Sequence, residues 1–311
     1  MRTLIRQSRL TGGASSERGA RTRDQEQLIR YYSEAGPDYG LWSRRLNMHF
    51  GYWRWPMNPF GREAMLEGMN AEVLRRLEVA PDAPAQLCDM GCGVGTPARY
   101  MANMRPRARV TGLTLVPWQI ERARELNRIA GVADRVEVLQ ADYTAAPFAA
   151  ESFDAAYAIE SACYAPGKDK APLLQEARRL LRPGGRLVIA DGFLRTDAPM
   201  NPVLAWAYEH ISRCWSLPEG FGNIHDFRAA LEASGFVDVK VEDISMRIVP
   251  SAMHIPWVSL KFLVREVARE WLRGRRVGRE RWNNLIAPVL APLLGASRRH
   301  FGYYLVSARR P

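Results

Sequence analysis

The stretch Leu87-Cys88-Asp89-Met90-Gly91-Cys92-Gly93-Val94-Gly95-Thr96 sets three glycines at alternate positions, beginning two residues after a carboxylate. Glycine tolerates positive φ and lets a ligand approach bare backbone, and a helix that follows aims its first N–H groups at that ligand. A dinucleotide-binding G-x-G-x-x-G turn falls at the same place in a sheet, but three features point elsewhere. Asp89 suits a cationic or hydroxylated ligand and repels a pyrophosphate. Thr96 stands where the third glycine of the dinucleotide pattern belongs. Ala141-Asp142, closing a third strand, puts an acid where an adenine amino group could be read. Four more residues have types suited to proton transfer: His49 beside Phe50-Gly51-Tyr52, Glu160 ending a fourth strand, Tyr164 just after it, and Asp191 closing a fifth. Glu209 and His210 read as a solvated helix face. The five histidines are scattered and no cysteine pair has ligand spacing, so no metal site is expected.

Positioning such residues needs a scaffold, and the pattern supplies one. From residue 86 onward, short apolar runs at 86–89, 109–113, 136–140, 153–159 and 186–191 alternate with helical periods near 97–104, 118–129 and 171–182. Arg182-Pro183-Gly184-Gly185 reads as a stop and turn. A helix at 226–234 and strands at 237–243 and 303–307 follow. This alternation predicts an α/β fold, a doubly wound and mostly parallel sheet. Residues 193–224 and 246–300 are too long for connections and helical in period, so they are expected as lids over the carboxyl edge, where ligands of such sheets bind. The expected organisation is a flexible basic arm (1–24), a helical cap (25–78), an α/β core (79–192), a first lid insertion (193–224), a core helix and strand (225–245), a basic helical lid (246–300) and a last core strand (301–311).

The net charge of +11 belongs to the ends: residues 1–24 carry +4 and residues 261–311 carry +9, leaving the middle at −2. A protein gripping nucleic acid would more often place that charge around its cleft, so a nucleic-acid partner is not expected. Four cysteines with no framework fit a reducing, cytoplasmic setting, and the arm lacks the apolar core of a secretory signal. The longest uncharged run, 283–297, is short and carries Pro288 and Pro292, which excludes a spanning helix. The basic amphipathic stretch 261–299 suits either a lid helix or peripheral contact with an anionic membrane.

Several segments resemble, in order, the class I S-adenosylmethionine-dependent methyltransferases. They are Asn47-Met48-His49-Phe50-Gly51-Tyr52-Trp53, the glycine turn, Thr111-Gly112-Leu113-Thr114-Leu115 with Gln119, Ala141-Asp142, Tyr157-Ala158-Ile159-Glu160-Ser161 and Leu181-Arg182-Pro183-Gly184-Gly185. The match spans about residues 31–191, returns at 302–311, and looks closest to the branch of tocopherol and sterol C-methyltransferases, cyclopropane fatty-acyl synthases and natural-product sugar O-methyltransferases. The resemblance implies a Rossmann-like fold and S-adenosylmethionine as cofactor. It implies that Gly91, Gly93 and Gly95 pass close to it, with Ala141 and Glu160 beside it. Asp89 would hold the methionine ammonium and Asp142 the adenine amino group. Relatives often use an acid for the ribose where this chain has Thr114, so Thr114 and Gln119 are the ribose candidates; Thr114 also suits a helix-capping role before Pro117. Tyr31, Tyr32 and Tyr39 would cover the cofactor.

The acceptor is expected to be a small, largely apolar metabolite, isoprenoid or polyketide-like, of the secondary-metabolism kind, met by a monomer or homodimer. Sugar O-methyltransferases of this branch follow Glu-Ser with a histidine pair, and here Cys163 and Tyr164 replace it. Neutral thiols and phenols, with ordinary pKa values of about 8.5 and 10, are poor bases at neutral pH. The stretch is closer to sterol C-methyltransferases, and aromatic faces stabilise the cations such enzymes form. Residues 31–60 and Trp206, Tyr208, Trp215 and Trp257 supply aromatics, so the reading favours carbon. The alternative is O-methylation of a sugar or phenol with His49 or Asp191 as base.

Overall fold

The computed structural model describes residues 23–311 apart from 218 and 275. The expected basic arm therefore lies outside the described residues, except that Arg23 and Asp24 already open α1 (Arg23–Ala35). A 3-10 turn leads to the single-turn α2 (Tyr39–Trp42), and α3 (Arg62–Leu77) completes the cap. The α3 stripe of Met65, Leu66, Met69, Val73 and Leu77 is buried, each side chain contributing about 1.5–3 kcal/mol by leaving water. Met69→Ala would cost about 2–5 kcal/mol through the cavity it leaves.

The core runs β1 (Ala85–Met90), α4 (Thr96–Met104), β2 (Ala108–Thr114), α5 (Pro117–Ile129), β3 (Val136–Gln140), β4 (Phe153–Ile159), α6 (Ala171–Leu180) and β5 (Leu181–Leu194). It continues through α7 (Pro202–Cys214), α8 (Ile224–Ala233), β6 (Val237–Asp243), α9 (Ser245–Ala252), α10 (Ile255–Phe262), α11 (Ala268–Leu272), α12 (Arg279–Ala296) and β7 (Phe301–Arg309). The seven strands are ordered β3-β2-β1-β4-β5-β7-β6. Pairings from β3 to β5 are parallel, while β7 runs antiparallel between β5 and β6. The sheet is thus the doubly wound, mostly parallel one the sequence predicts. Strand order reverses between β1 and β4, and ligands of such sheets bind outside the carboxyl ends at that point.

Both faces of the sheet are covered, which is why β1, β4 and β5 read as nearly unbroken apolar runs. Leu173, Leu174, Phe227 and Leu231 from α6 and α8 pack on one face, and Met69, Val73, Ala98 and Met101 from α3 and α4 on the other. One local expectation is corrected. The helix expected at 171–182 ends at Leu180, and Arg182-Pro183-Gly184-Gly185 is not a free turn but the irregular start of β5. Leu181 already pairs with Phe153, with a register shift before Ala155. Gly184 N–H donates to Arg310 O, and Arg310 N–H to Gly185 O. Pro183 lacks a ladder donor, and Gly184 at φ +81° accommodates the distortion.

The two segments expected as lids, 193–224 and 246–300, carry helices α7 and α9 to α12. α12 keeps both Pro288 and Pro292 inside its length and packs against α7 and α1. Among the described residues no helix is long and apolar enough to cross a membrane.

Candidate active site

The glycine turn leaves β1 at the switch point. Gly91, Gly93 and Gly95 all have positive φ, at +94°, +53° and +74°. At Gly91 the reason is also steric, because a Cβ would stand 2.3 Å from the Cβ of Ser161. Ser161 Oγ donates to Met90 O across 2.5 Å, so the loop after β4 presses against the turn. Gly95 is the residue before α4, and its N–H donates back to Cys92 O.

Around this turn lies a cleft partly open to solvent. Asp89, Gly91, Gly93, Thr114, Gln119, Ala141 and Glu160 line it, together with His49 and Tyr164. Gly95, Asp142, Asp191, Tyr31 and Tyr39, also sequence candidates, do not. Gly95 lies behind the turn, where a Cβ would meet Arg99. Asp142 is turned aside: it accepts from Gln25 Nε2 at 2.6 Å and from the N–H and hydroxyl of Thr144. Asp191 is buried beneath the floor, accepting from the N–H groups of Cys163 and Gly192.

Asp89 pairs with Tyr157 in the β1–β4 register and is almost wholly buried. Its Oδ2 has no hydrogen-bond partner. Burial pushes its pKa up to about 7, opposed by the neighbouring Tyr157 hydroxyl and Arg99. A buried carboxylate oxygen without a donor is costly. Thr114 and Gln119 meet, Oγ1 donating to Oε1 across 2.5 Å. Thr114 Oγ1 also accepts from Val116 N–H, so it stabilises the turn before α5 as well as facing the cleft.

Glu160 holds a left-handed conformation at φ +51°, the kind of backbone strain that persists only where surrounding contacts fix it. Its Oε1 accepts from Phe50 N–H at 2.6 Å and from the Tyr303 hydroxyl at 2.8 Å, and the residue lines the cleft. Burial pushes its pKa up to about 8, with Asp191 adding to the rise and the two hydrogen bonds opposing it. Burial likewise lifts Asp191 to about 6, its two N–H donors opposing.

His49 sits differently from a base. Nδ1 faces Phe50 O at 2.8 Å and Nε2 faces the Asn47 side chain at 3.1 Å. Asn47 Nδ2 and Asn70 Oδ1 lack partners. Turning both amides makes Asn47 Nδ2 donate to His49 and to Asn70, and the ring is then satisfied as a neutral donor to Phe50 O. Burial holds its pKa down to about 4. Both ring nitrogens are engaged, and His49 positions the Phe50 strap that reaches Glu160.

The tyrosines form a cluster. Tyr32 and Tyr164 bring their hydroxyls within 3.0 Å and both line the cleft, while Tyr31 donates to Asn284 on α12. The tryptophans weighed as cation-stabilising faces do not line the cleft. Trp55, Trp206 and Trp257 are exposed, Trp215 packs on Phe221, and Trp42 spends its N–H on His49 O. The cleft-lining aromatics are Tyr32, Tyr143 and Tyr164. Sequence reasoning missed Tyr303, Tyr143 and Lys170. A phenol near the start of an apolar strand was the available signal for Tyr303. Lys170, 1% exposed, donates to Cys163 O and Ala165 O and so braces the loop that carries Tyr164.

A family model described as a methyltransferase domain matches residues 88–189. Methyltransferase GfsG of Streptomyces halstedii is 34% identical over 205 residues, 66% of this chain and 71% of that one. The 27-O-demethylrifamycin SV methyltransferase of Amycolatopsis mediterranei is 30% identical over 278 residues, 87% of this chain and 92% of that one. The chain belongs to the class I S-adenosylmethionine-dependent methyltransferases. The cyclopropane synthase MmaA2 of Mycobacterium tuberculosis shares the fold at a TM-score of 0.77 and 17% identity, over 93% of this chain and 99% of that one.

The methyltransferase's cofactor is S-adenosylmethionine, and the cleft fits it. The orphaned Asp89 Oδ2 is an acceptor awaiting a cationic donor, and the positive-φ glycines leave bare backbone beside it. Among the described residues no cluster of His, Cys, Asp or Glu could hold a metal ion.

Proposed function

We propose that this methyltransferase transfers a methyl group to a hydroxyl oxygen of a small, largely apolar, polyketide- or isoprenoid-like metabolite. Glu160 carries the reading. It lines the cleft, and burial raises its pKa to about 8, so its ionised form, which a cationic cofactor beside it would favour, is a base strong enough to take the acceptor's proton. The full-length similarity to an O-demethylrifamycin methyltransferase supports oxygen as the atom. When bound, the cofactor supplies the electrophilic methyl, so the protein's work is orientation, exclusion of water and proton removal. Asp89 would hold the cofactor's ammonium, the bare backbone of Gly91 and Gly93 would lie beside it, and Thr114 with Gln119 would meet the ribose. Tyr32 and Tyr164 close the acceptor side, and His49 holds the strap from which Phe50 reaches Glu160. The four free cysteines fit a reducing compartment such as the cytoplasm.

Transfer to carbon is the second reading, and the aromatic faces of Tyr32 and Tyr164 favour it, because they could stabilise a cation. The two separate cleanly. With 13C-methyl-labelled S-adenosylmethionine and a panel of hydroxylated polyketides and isoprenoids, carbon NMR of the product distinguishes an O-methyl from a C-methyl group. An O-methyl product is expected; label on carbon alone would replace this reading with the second.

A further inference from the structure

Outside the cleft the described residues form a two-part exposed apolar platform. One part is the near-continuous helical rod from α10 through the π-helical turn Leu263–Val267 to α11, where Trp257, Leu260, Val264, Trp271 and Leu272 are all exposed, Trp257 by 56% and Trp271 by 76%. The other is the loop at 54–60, which exposes Trp55 and Phe60. His254 Nε2 hydrogen-bonds Pro59 O at 3.0 Å, so the loop is held beside the start of α10. Soluble surfaces tolerate single exposed side chains of this size, whereas a contiguous group marks an interaction face.

Charge decides the occupant. Lys261, Arg265, Arg269 and Arg273 follow one another at four-residue spacing along the same rod. The intervening acids are engaged: Glu266 by Arg269 and Arg281, and Glu270 by Arg273. Lys261 and Arg265 have no carboxylate partner among the described residues, and Lys261 Nζ stands 5.2 Å over the Trp257 ring. A second copy docking by two-fold symmetry would set these like charges against each other. An anionic bilayer accepts both halves, with apolar groups entering the headgroup boundary and cations meeting lipid phosphates. We propose that the α10–α11 rod with the 54–60 loop is a peripheral docking face for an anionic lipid surface. It holds the cap over the cleft against the phase in which an apolar acceptor would dissolve.

The full chain would be sedimented with phosphatidylcholine vesicles and with phosphatidylglycerol-rich ones, at low and high salt. Binding to the anionic vesicles at low salt is expected, weaker by about tenfold or more for the Lys261→Glu/Arg265→Glu variant. The Trp257→Glu/Trp271→Glu variant should lose binding while keeping its thermal midpoint and cofactor affinity. No binding to anionic vesicles, or full binding by the tryptophan variant, would overturn the proposal. A concentration-dependent dimer without lipid that the tryptophan variant dissolves would assign the face to a second copy instead.

Discussion

The hydroxyl of Tyr303 on β7 donates to Oε1 of Glu160, at the end of β4, across 2.8 Å. The antiparallel insertion of β7 beside β5 brings the phenol there, so the last strand of the chain sets the protonation of a residue 143 positions earlier. That hydrogen bond favours the ionised carboxylate and lowers the Glu160 pKa against the effect of burial. Tyr303→Phe is therefore expected to move the ascending limb of the kcat/KM against pH profile to higher pH, with the fold kept. A profile that does not move would separate Tyr303 from proton transfer.

Asp89→Asn keeps the shape of the turn but removes the charge awaiting the cofactor's ammonium. A lost charge-assisted hydrogen bond corresponds to about ten- to a hundredfold weaker S-adenosylmethionine binding. Calorimetry checks this, and retained affinity would reassign Asp89 to structure. Because the buried charge is also gone, the cofactor-free variant is expected to melt no lower than the parent at pH 8.

Gln25 Nε2 lies 2.6 Å from Asp142 Oδ2, on the acid expected to read the adenine amino group. If the amide and the cofactor share that oxygen, Gln25→Ala removes a competitor, and affinity rises by about two- to tenfold. Weaker binding in the variant would mean instead that α1 supports the cleft through this contact.

The carboxyls give a signed pH dependence. Asp89 at about 7 and Glu160 at about 8 hold protons in the folded state that the unfolded chain releases at ordinary carboxylate pH. Their contribution to stability is therefore lost as pH rises through those values. His49, held down to about 4, works in the opposite direction, but only below about 6.5, where an unfolded histidine gains its proton. Between pH 6.5 and 8 the carboxyls act alone, and the thermal midpoint of the cofactor-free protein is expected to fall. A cation beside these groups favours their ionised forms, so cofactor binding near pH 7 should release protons, seen as a calorimetric enthalpy that varies with buffer ionisation heat. A flat midpoint and a buffer-independent enthalpy would contradict both statements.

Local chemistry was legible in the sequence, and closure of the chain was not. The glycine turn and the strand–helix alternation around it depend on neighbours within a few residues, and spacing reports such neighbours directly; Thr114 and Gln119 are named through the family resemblance. Glu160 could be named as a strand-end acid, but its donors, Phe50 and Tyr303, come from opposite ends of the chain, and only the folded sheet reveals them. The turn expected at Pro183-Gly184-Gly185 became strand because the carboxyl-terminal Arg310 pairs with it. The tryptophans misled for a related reason. Composition counts aromatics without telling inward from outward faces, and Trp55, Trp206 and Trp257 face out. His49 reads equally as a pocket residue and as a structural one, and its ring nitrogens face Phe50 O and the Asn47 side chain.

The account turns on Glu160 as the group that takes the acceptor's proton. Single-turnover transfer to a hydroxylated acceptor at saturating S-adenosylmethionine, compared between the parent protein and Glu160→Gln, tests it most directly. The predicted result is a rate lower by about a hundredfold or more, with cofactor affinity little changed. An unaltered transfer rate in the glutamine variant would contradict it.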